Sequence, residues 1–132
     1  METLLRTALL DWLRNAPDLA DKLNAMEEES PVRASAPWLG IATSASADWS
    51  TKERAGREVR IAVELQTRGD DSAADAELVS MIEQRIRALP RRHPKFHIIT
   101  TQFLRARAQR RARNQRSILM EYRFRALETV TE

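Results

Sequence analysis

From Ser117 to Ala126 the chain places Ile118, Met120, Tyr122, Phe124 and Ala126 at every second position, with Leu119, Glu121, Arg123 and Arg125 between them. A period of two is the mark of a β-strand with one buried face. Upstream, Phe96 to Arg107 reads as its hairpin partner, through His97-Ile98-Ile99-Thr100-Thr101-Gln102-Phe103-Leu104. The link from Arg105 to Arg116 holds six arginines (Arg105, Arg107, Arg110, Arg111, Arg113 and Arg116) in twelve residues and no acid. The expectation is an arginine-loaded turn that carries much of the function.

The rest of the chain supplies partners for this hairpin. Leu4, Leu5, Ala8, Leu9, Trp12 and Leu13 recur at helical spacing and predict a helix over Glu2–Asn15, ended at Pro17. A short turn from Pro17 to Leu23 returns Leu19 and Leu23 to the core, and Glu27-Glu28-Glu29-Ser30-Pro31 reads as an acidic connector. Pro37 to Thr43 predicts a short strand introduced by proline, as edge strands allow. Ser44 to Gly56 reads as a long polar loop with Trp49, Lys52 and Arg54, and loops of this length are often functional. Trp49 is there either an exposed interface anchor or a side chain tucked against its own sheet. Glu58 to Thr67 alternates again, with Val59, Ile61, Val63 and Leu65 on one side. Gly69-Asp70-Asp71 marks the exit turn, and Ser72-x-x-Asp75 has the form of a capping box. The helix it starts runs to Leu89, with Ala76, Val79, Ile82, Ile86 and Leu89 as buried face, and Pro90 stops it. The expected fold is α+β and two-layered: a four-stranded, mostly antiparallel sheet with two helices on one face, in the order α-β-β-α-β-β, as a single domain over residues 1–132.

Charge is segregated along this layout. The formal net charge is +3, yet Arg91 to Arg125 holds eleven Lys/Arg against one acid, so it carries +10 and the remainder −7. A split of this kind favours contact between the basic stretch and something negative, either phosphate or an acidic face of a neighbouring subunit. Cysteine is absent, so disulfides and thiolate chemistry are excluded. Apolar runs fall short of a bilayer span and no signal peptide opens the chain, which reads as a soluble intracellular protein without a membrane partner. His93 and His97 stand four apart, but Pro94 lies between them and no third ligand is near, so no metal site is expected. Gly40, Gly56 and Gly69 are isolated and form no phosphate loop. No catalytic constellation stands out, and neither an enzyme nor a cofactor is expected.

Taken in order, these landmarks resemble the tail-completion, or tail-terminator, family of long-tailed bacteriophages and gene transfer agents. They are the Leu-rich helix from Leu4 to Leu13, Pro37-Trp38-Leu39-Gly40-Ile41, Lys52-Glu53-Arg54-Ala55-Gly56 and Leu65-Gln66-Thr67-Arg68-Gly69. An Ala-rich helix follows, and Met120-Glu121-Tyr122-Arg123-Phe124-Arg125 closes the series. The hairpin from Arg105 to Arg116 is richer in arginine than that pattern. The resemblance implies a hexameric ring of identical subunits on the tail tube protein, which ends tube growth and joins the tube to a head-tail connector or neck protein. It further implies transient passage of double-stranded DNA through the ring, with assembly in the host cytoplasm and residence in the particle's tail. On this reading Trp49, Lys52, Arg54, Arg105, Arg107, Arg110, Arg111, Arg113 and Arg116 serve subunit or tail-tube contacts, or line the channel.

A different class of function competes: a nucleic-acid-binding module whose basic hairpin enters a groove or grips the backbone. The turn holds no stacking aromatics, so backbone contact without sequence reading is the most it would make. The acidic remainder of the chain favours protein as the partner.

Overall fold

The computed structural model describes residues 1–29, 34–69 and 72–129. Asp70 and Asp71, read as the exit turn, and Ser30 and Pro31 of the connector lie outside them. Helix α1 spans Glu2–Arg14 and α2 Pro17–Lys22; strand β1 is Ala25–Glu27, β2 Trp38–Asp48 and β3 Gly56–Arg68. Helix α3 is Ser72–Arg87, followed by β4 at Phe96–Arg111 and β5 at Gln115–Glu128. The sheet has five strands in the order β1-β2-β3-β5-β4.

The expected four-stranded sheet with two helices is therefore corrected to five strands and three helices among the described residues. The sheet is mixed, because β1 pairs with β2 in parallel while every other pair is antiparallel. Three residues are too few to show alternation, so β1, which meets the acidic connector only at Glu27, leaves no mark in the sequence. Its existence depends on the partner edge offered by Trp38, Leu39 and Gly40.

The polar loop expected over Ser44–Gly56 is also half strand. The register shifts between Ile41 and Thr43, and beyond that bulge Ser44 lies opposite Ile61 and Ser46 opposite Val59. Both serines thus occupy the helix-facing side, where they meet the start of α1. Ser44 Oγ donates to a Glu2 carboxylate oxygen at 2.6 Å. Hydrogen bonds from Ser44 and then Ser46 hold the Glu2 carboxyl below its usual range. Apolar alternation ends at Thr43 because the strand changes what it packs against, while the backbone stays extended.

The core lies between one face of the sheet and the helices. Val59, Ile61, Val63 and Leu65 of β3 pair with Phe124, Tyr122, Met120 and Ile118 of β5, and all eight are buried. Leu5, Leu9, Leu10 and Leu13 of α1 and Leu78, Ile82 and Ile86 of α3 cover them. Each fully buried side chain of this size stabilises by roughly 1.5–3 kcal/mol. Helix α3 is turned relative to expectation: Leu78 is buried, whereas Ala76 is exposed and Val79 half-buried. Asp75 is buried in the first turn, where Thr67 and Arg116 donate to its carboxylate.

Helices α1 and α3 are locked by one reciprocal contact. Trp12 Nε1 donates to the Arg85 carbonyl at 2.6 Å, and Arg85 Nε donates to the Trp12 carbonyl at 2.8 Å. The guanidinium lies 3.4 Å from the indole centroid, so stacking, cation–π attraction and two hydrogen bonds act together.

Candidate interface residues

Strand β3 runs between two groups of candidate interface residues. Its thirteen residues span roughly 40 Å at about 3.3 Å each. At its start lies the Trp49 tip, and at its end Arg68 pairs with Gln115 beside the arginine hairpin. Trp49, Lys52 and Arg54 are therefore at the opposite end of the sheet from Arg110, Arg111, Arg113 and Arg116.

The Trp49 tip is compact and bonded to itself. Trp49 N donates to the Gly56 carbonyl at 3.0 Å, and Thr51 N to the Arg54 carbonyl at 2.9 Å. The amides of Glu53 and Arg54 both donate to Thr51 Oγ1, and Gly56 N donates to Ser50 Oγ. Gly56 is required here, since a Cβ would sit 2.6 Å from the Trp49 carbonyl and 2.7 Å from Leu127 Cδ2. Trp49 itself is half-buried, with the Arg125 guanidinium 5.7 Å from its ring centroid. Lys52 and Arg54 are exposed, and among the described residues neither makes an ion pair.

The arginine-loaded turn is mostly strand. Only Ala112, Arg113 and Asn114 lie between β4 and β5, and Arg113 and Asn114 take left-handed φ of 61° and 59°. Asparagine is among the residues that tolerate this conformation; arginine does so less readily. The tip is docked on the β3–α3 turn, where Gly69 N donates to the Asn114 carbonyl at 3.1 Å.

Three of the six arginines are neutralised within the subunit. Arg105 Nε donates to Glu121 Oε2 at 2.7 Å, and its second nitrogen reaches Oε1 at 3.2 Å. That pairing holds the Glu121 carboxyl below its usual range and raises the Arg105 guanidinium above its own. Arg111 lies 3.6 Å from Glu64, which also accepts from Ser117 at 2.6 Å. Arg116 bridges β5 to α3: its Nε and Nη2 donate to the two Asp75 carboxylate oxygens at 2.6 and 3.1 Å. Its Nη1 donates to the Gly69 carbonyl. Arg107, Arg110 and Arg113 are exposed and, among the described residues, make no ion pair.

The acids that neutralise them are residues that sequence reasoning did not single out for this role. Glu121 is sixteen residues from Arg105 in sequence, and Asp75 is forty-one from Arg116. On the helix-free face Glu58 is approached by Arg125 at 3.1 Å and Arg123 at 3.7 Å. Alternation in β3 and β5 puts Glu58, Glu64, Glu121, Arg123 and Arg125 on that face, but the strand order decides which of them meet. His93 is occupied structurally: its ring stacks on Phe96 at 4.5 Å and Nε2 lies 2.6 Å from the Pro90 carbonyl. Among the described residues no three His, Cys, Asp or Glu side chains cluster as a metal site, and no helix is long and apolar enough to cross a membrane.

Residues 7–129 match the family model of Tail completion protein gp17. The chain belongs to the tail completion protein gp17 family. It is a structural protein of phage-type tails. No curated protein matches it. Among solved structures, a chain of "Virion of native gene transfer agent (GTA) particle" is similar, with a TM-score of 0.75 and 21% identity over 95% of each chain. At that identity the likeness concerns the fold. The tail completion family covers all the candidate interface residues, from Trp49 to Arg116.

Proposed function

We propose that this tail completion protein is a tail terminator: its subunits form a ring on the finished tail tube, stop tube polymerisation and join the tube to the head or neck connector. The observation that carries the reading is the family match over residues 7–129. The charge layout supports it, because Arg107, Arg110 and Arg113 remain available on a subunit that neutralises its other hairpin arginines internally. A closed ring with a hexameric count leaves a central channel for double-stranded DNA. Assembly takes place in the host cytoplasm before the ring joins the particle.

The two separated ends of the sheet take different partners. The Trp49 tip, with Lys52 and Arg54 beside a half-buried indole, contacts the tail tube. The arginine edge contacts a neighbouring subunit. Internal ion pairs hold Arg105, Arg111 and Arg116, which leaves Arg107, Arg110 and Arg113 to meet an acidic face of a neighbouring subunit.

Sizing chromatography with light scattering tests this, on the protein alone and mixed with tail-tube protein. A discrete oligomer of several subunits that binds tube ends is the expected result. A strict monomer that neither forms rings nor caps tubes overturns the reading.

A further inference from the structure

The two edges of the sheet differ in charge, and they lie too far apart to neutralise each other within one subunit. Strand β4 is one edge and β1 the other. Four inter-strand steps of about 4.8 Å separate them by roughly 19 Å, more than twice the Debye length of about 8 Å at physiological salt. Residues 1–29, which form α1, α2 and the β1 side, hold seven acids against three bases. Among the described residues Glu27 bridges to an exposed Arg14 at 3.0 Å, a kind of pair that is weak in water, and Glu28 to a half-buried Arg6 at 3.4 Å. Glu29 is exposed.

The β4 edge is also incompletely covered. Its first residues are shielded, since Ile98 N donates to the Arg91 carbonyl and Arg92 bridges to His97. Beyond Thr100 no strand lies outboard of it. Phe103 is 43% exposed, stacked edge-on against Tyr122 at 5.5 Å. Arg107 faces the helix-free side opposite Leu119, Arg110 the helix side opposite Arg116, and Arg113 crowns the tip. Exposed cations that make no ion pair among the described residues thus flank this edge on both sides. Bulges between Ile98 and Thr100 and between Phe103 and Arg105 break its regularity, which favours contact through side chains over simple strand addition.

We propose that the open β4 edge of one copy docks head to tail on the acidic β1 side of the next copy, with Arg107, Arg110 and Arg113 facing Glu27, Glu28 and Glu29. This rests on the ring reading above and names the contact that builds the ring. Two different edges of one chain make a heterologous contact, which closes into a ring when the rotation per subunit allows. Arginines that only guarded the edge against aggregation would do so equally well as glutamates, and oligomerisation separates the two roles.

The test uses two full-length variants, R107E/R110E/R113E and E27R/E28R/E29R, with mass read by light scattering in low salt. Each variant alone is expected to fall to the mass of one subunit while keeping the wild-type circular dichroism. An equimolar mixture is expected to regain the wild-type mass, because each reversed edge then finds an opposite one. The regained assembly also proves that both variants fold. A wild-type oligomer that survives the arginine reversal, or a mixture that stays monomeric, overturns the edge assignment alone. A wild-type chain that is monomeric both free and on tubes overturns the ring reading and this contact with it.

Discussion

Arg116 on β5 grips Asp75 in the first turn of α3 with two hydrogen bonds, 2.6 and 3.1 Å long, across forty-one residues of sequence. Thr67 Oγ1 adds a third hydrogen bond to the same carboxylate at 3.0 Å. The side chains are only 18% and 11% exposed, so removing one partner strands a charge with little water. Asp75→Ala is expected to cost about 3 kcal/mol in urea unfolding. The double change Asp75→Leu with Arg116→Met should cost less than the two single changes combined, because no charge is left behind. A fully additive cycle would refute the coupling.

Arg85 should prove irreplaceable by lysine. A lysine keeps the charge but loses the planar stack on Trp12 and the directed Nε–H bond to its carbonyl. Arg85→Lys is expected to lower stability by about 1 kcal/mol and alter the Trp12 environment in near-UV circular dichroism. An unchanged melting temperature would show that packing alone joins α1 to α3.

Tyr122 is the only tyrosine, so absorbance of tyrosinate reports one residue. Its buried hydroxyl makes no hydrogen bond among the described residues, and burial first, then the Glu83 charge, pushes its pKa from 10.0 up to about 12. The folded state thus favours the neutral phenol. That contribution is fully present below pH 10 and is lost as pH rises toward about 12, at up to ~1.4 kcal/mol per pH unit. Tyr122→Phe should abolish this part of the alkaline loss and be neutral or stabilising at pH 7, since no hydrogen bond is sacrificed.

Gly56→Ala places a methyl 2.6 Å from the Trp49 carbonyl and 2.9 Å from that of Ala126. Backbone atoms hem the site on two sides, so the tip must open. A loss of about 2 kcal/mol is expected, together with a shift in Trp49 emission. If the tip contacts the tail tube, this variant also caps tubes less well at temperatures where it remains folded.

Much of the architecture could be read directly. Alternation at Val59–Leu65 and Ile118–Ala126 marks the paired central strands β3 and β5, since both bury one face against helices. The Leu5–Leu9–Leu13 stripe likewise marks α1. Strand β1 and the outer half of β2 could not be read that way. The first is three residues long, and the second changes its packing partner at the Ala42 bulge, replacing apolar residues by serines that bind Glu2.

The arginines divide along the same boundary. By itself the sequence determined that the last third is a strand hairpin, that it is strongly basic, and that the chain follows the order of a tail completion protein. Only the tertiary structure decided that Arg105, Arg111 and Arg116 are neutralised at home while, among the described residues, Arg107, Arg110 and Arg113 make no ion pair. Periodicity is a local property that a strand or helix carries in its own residues. Ion pairing depends on which strands become neighbours, and the order β3-β5-β4 brings together charges from 16 to 67 residues apart. Their Coulomb attraction is too short-ranged in salt water to appear in a charge count.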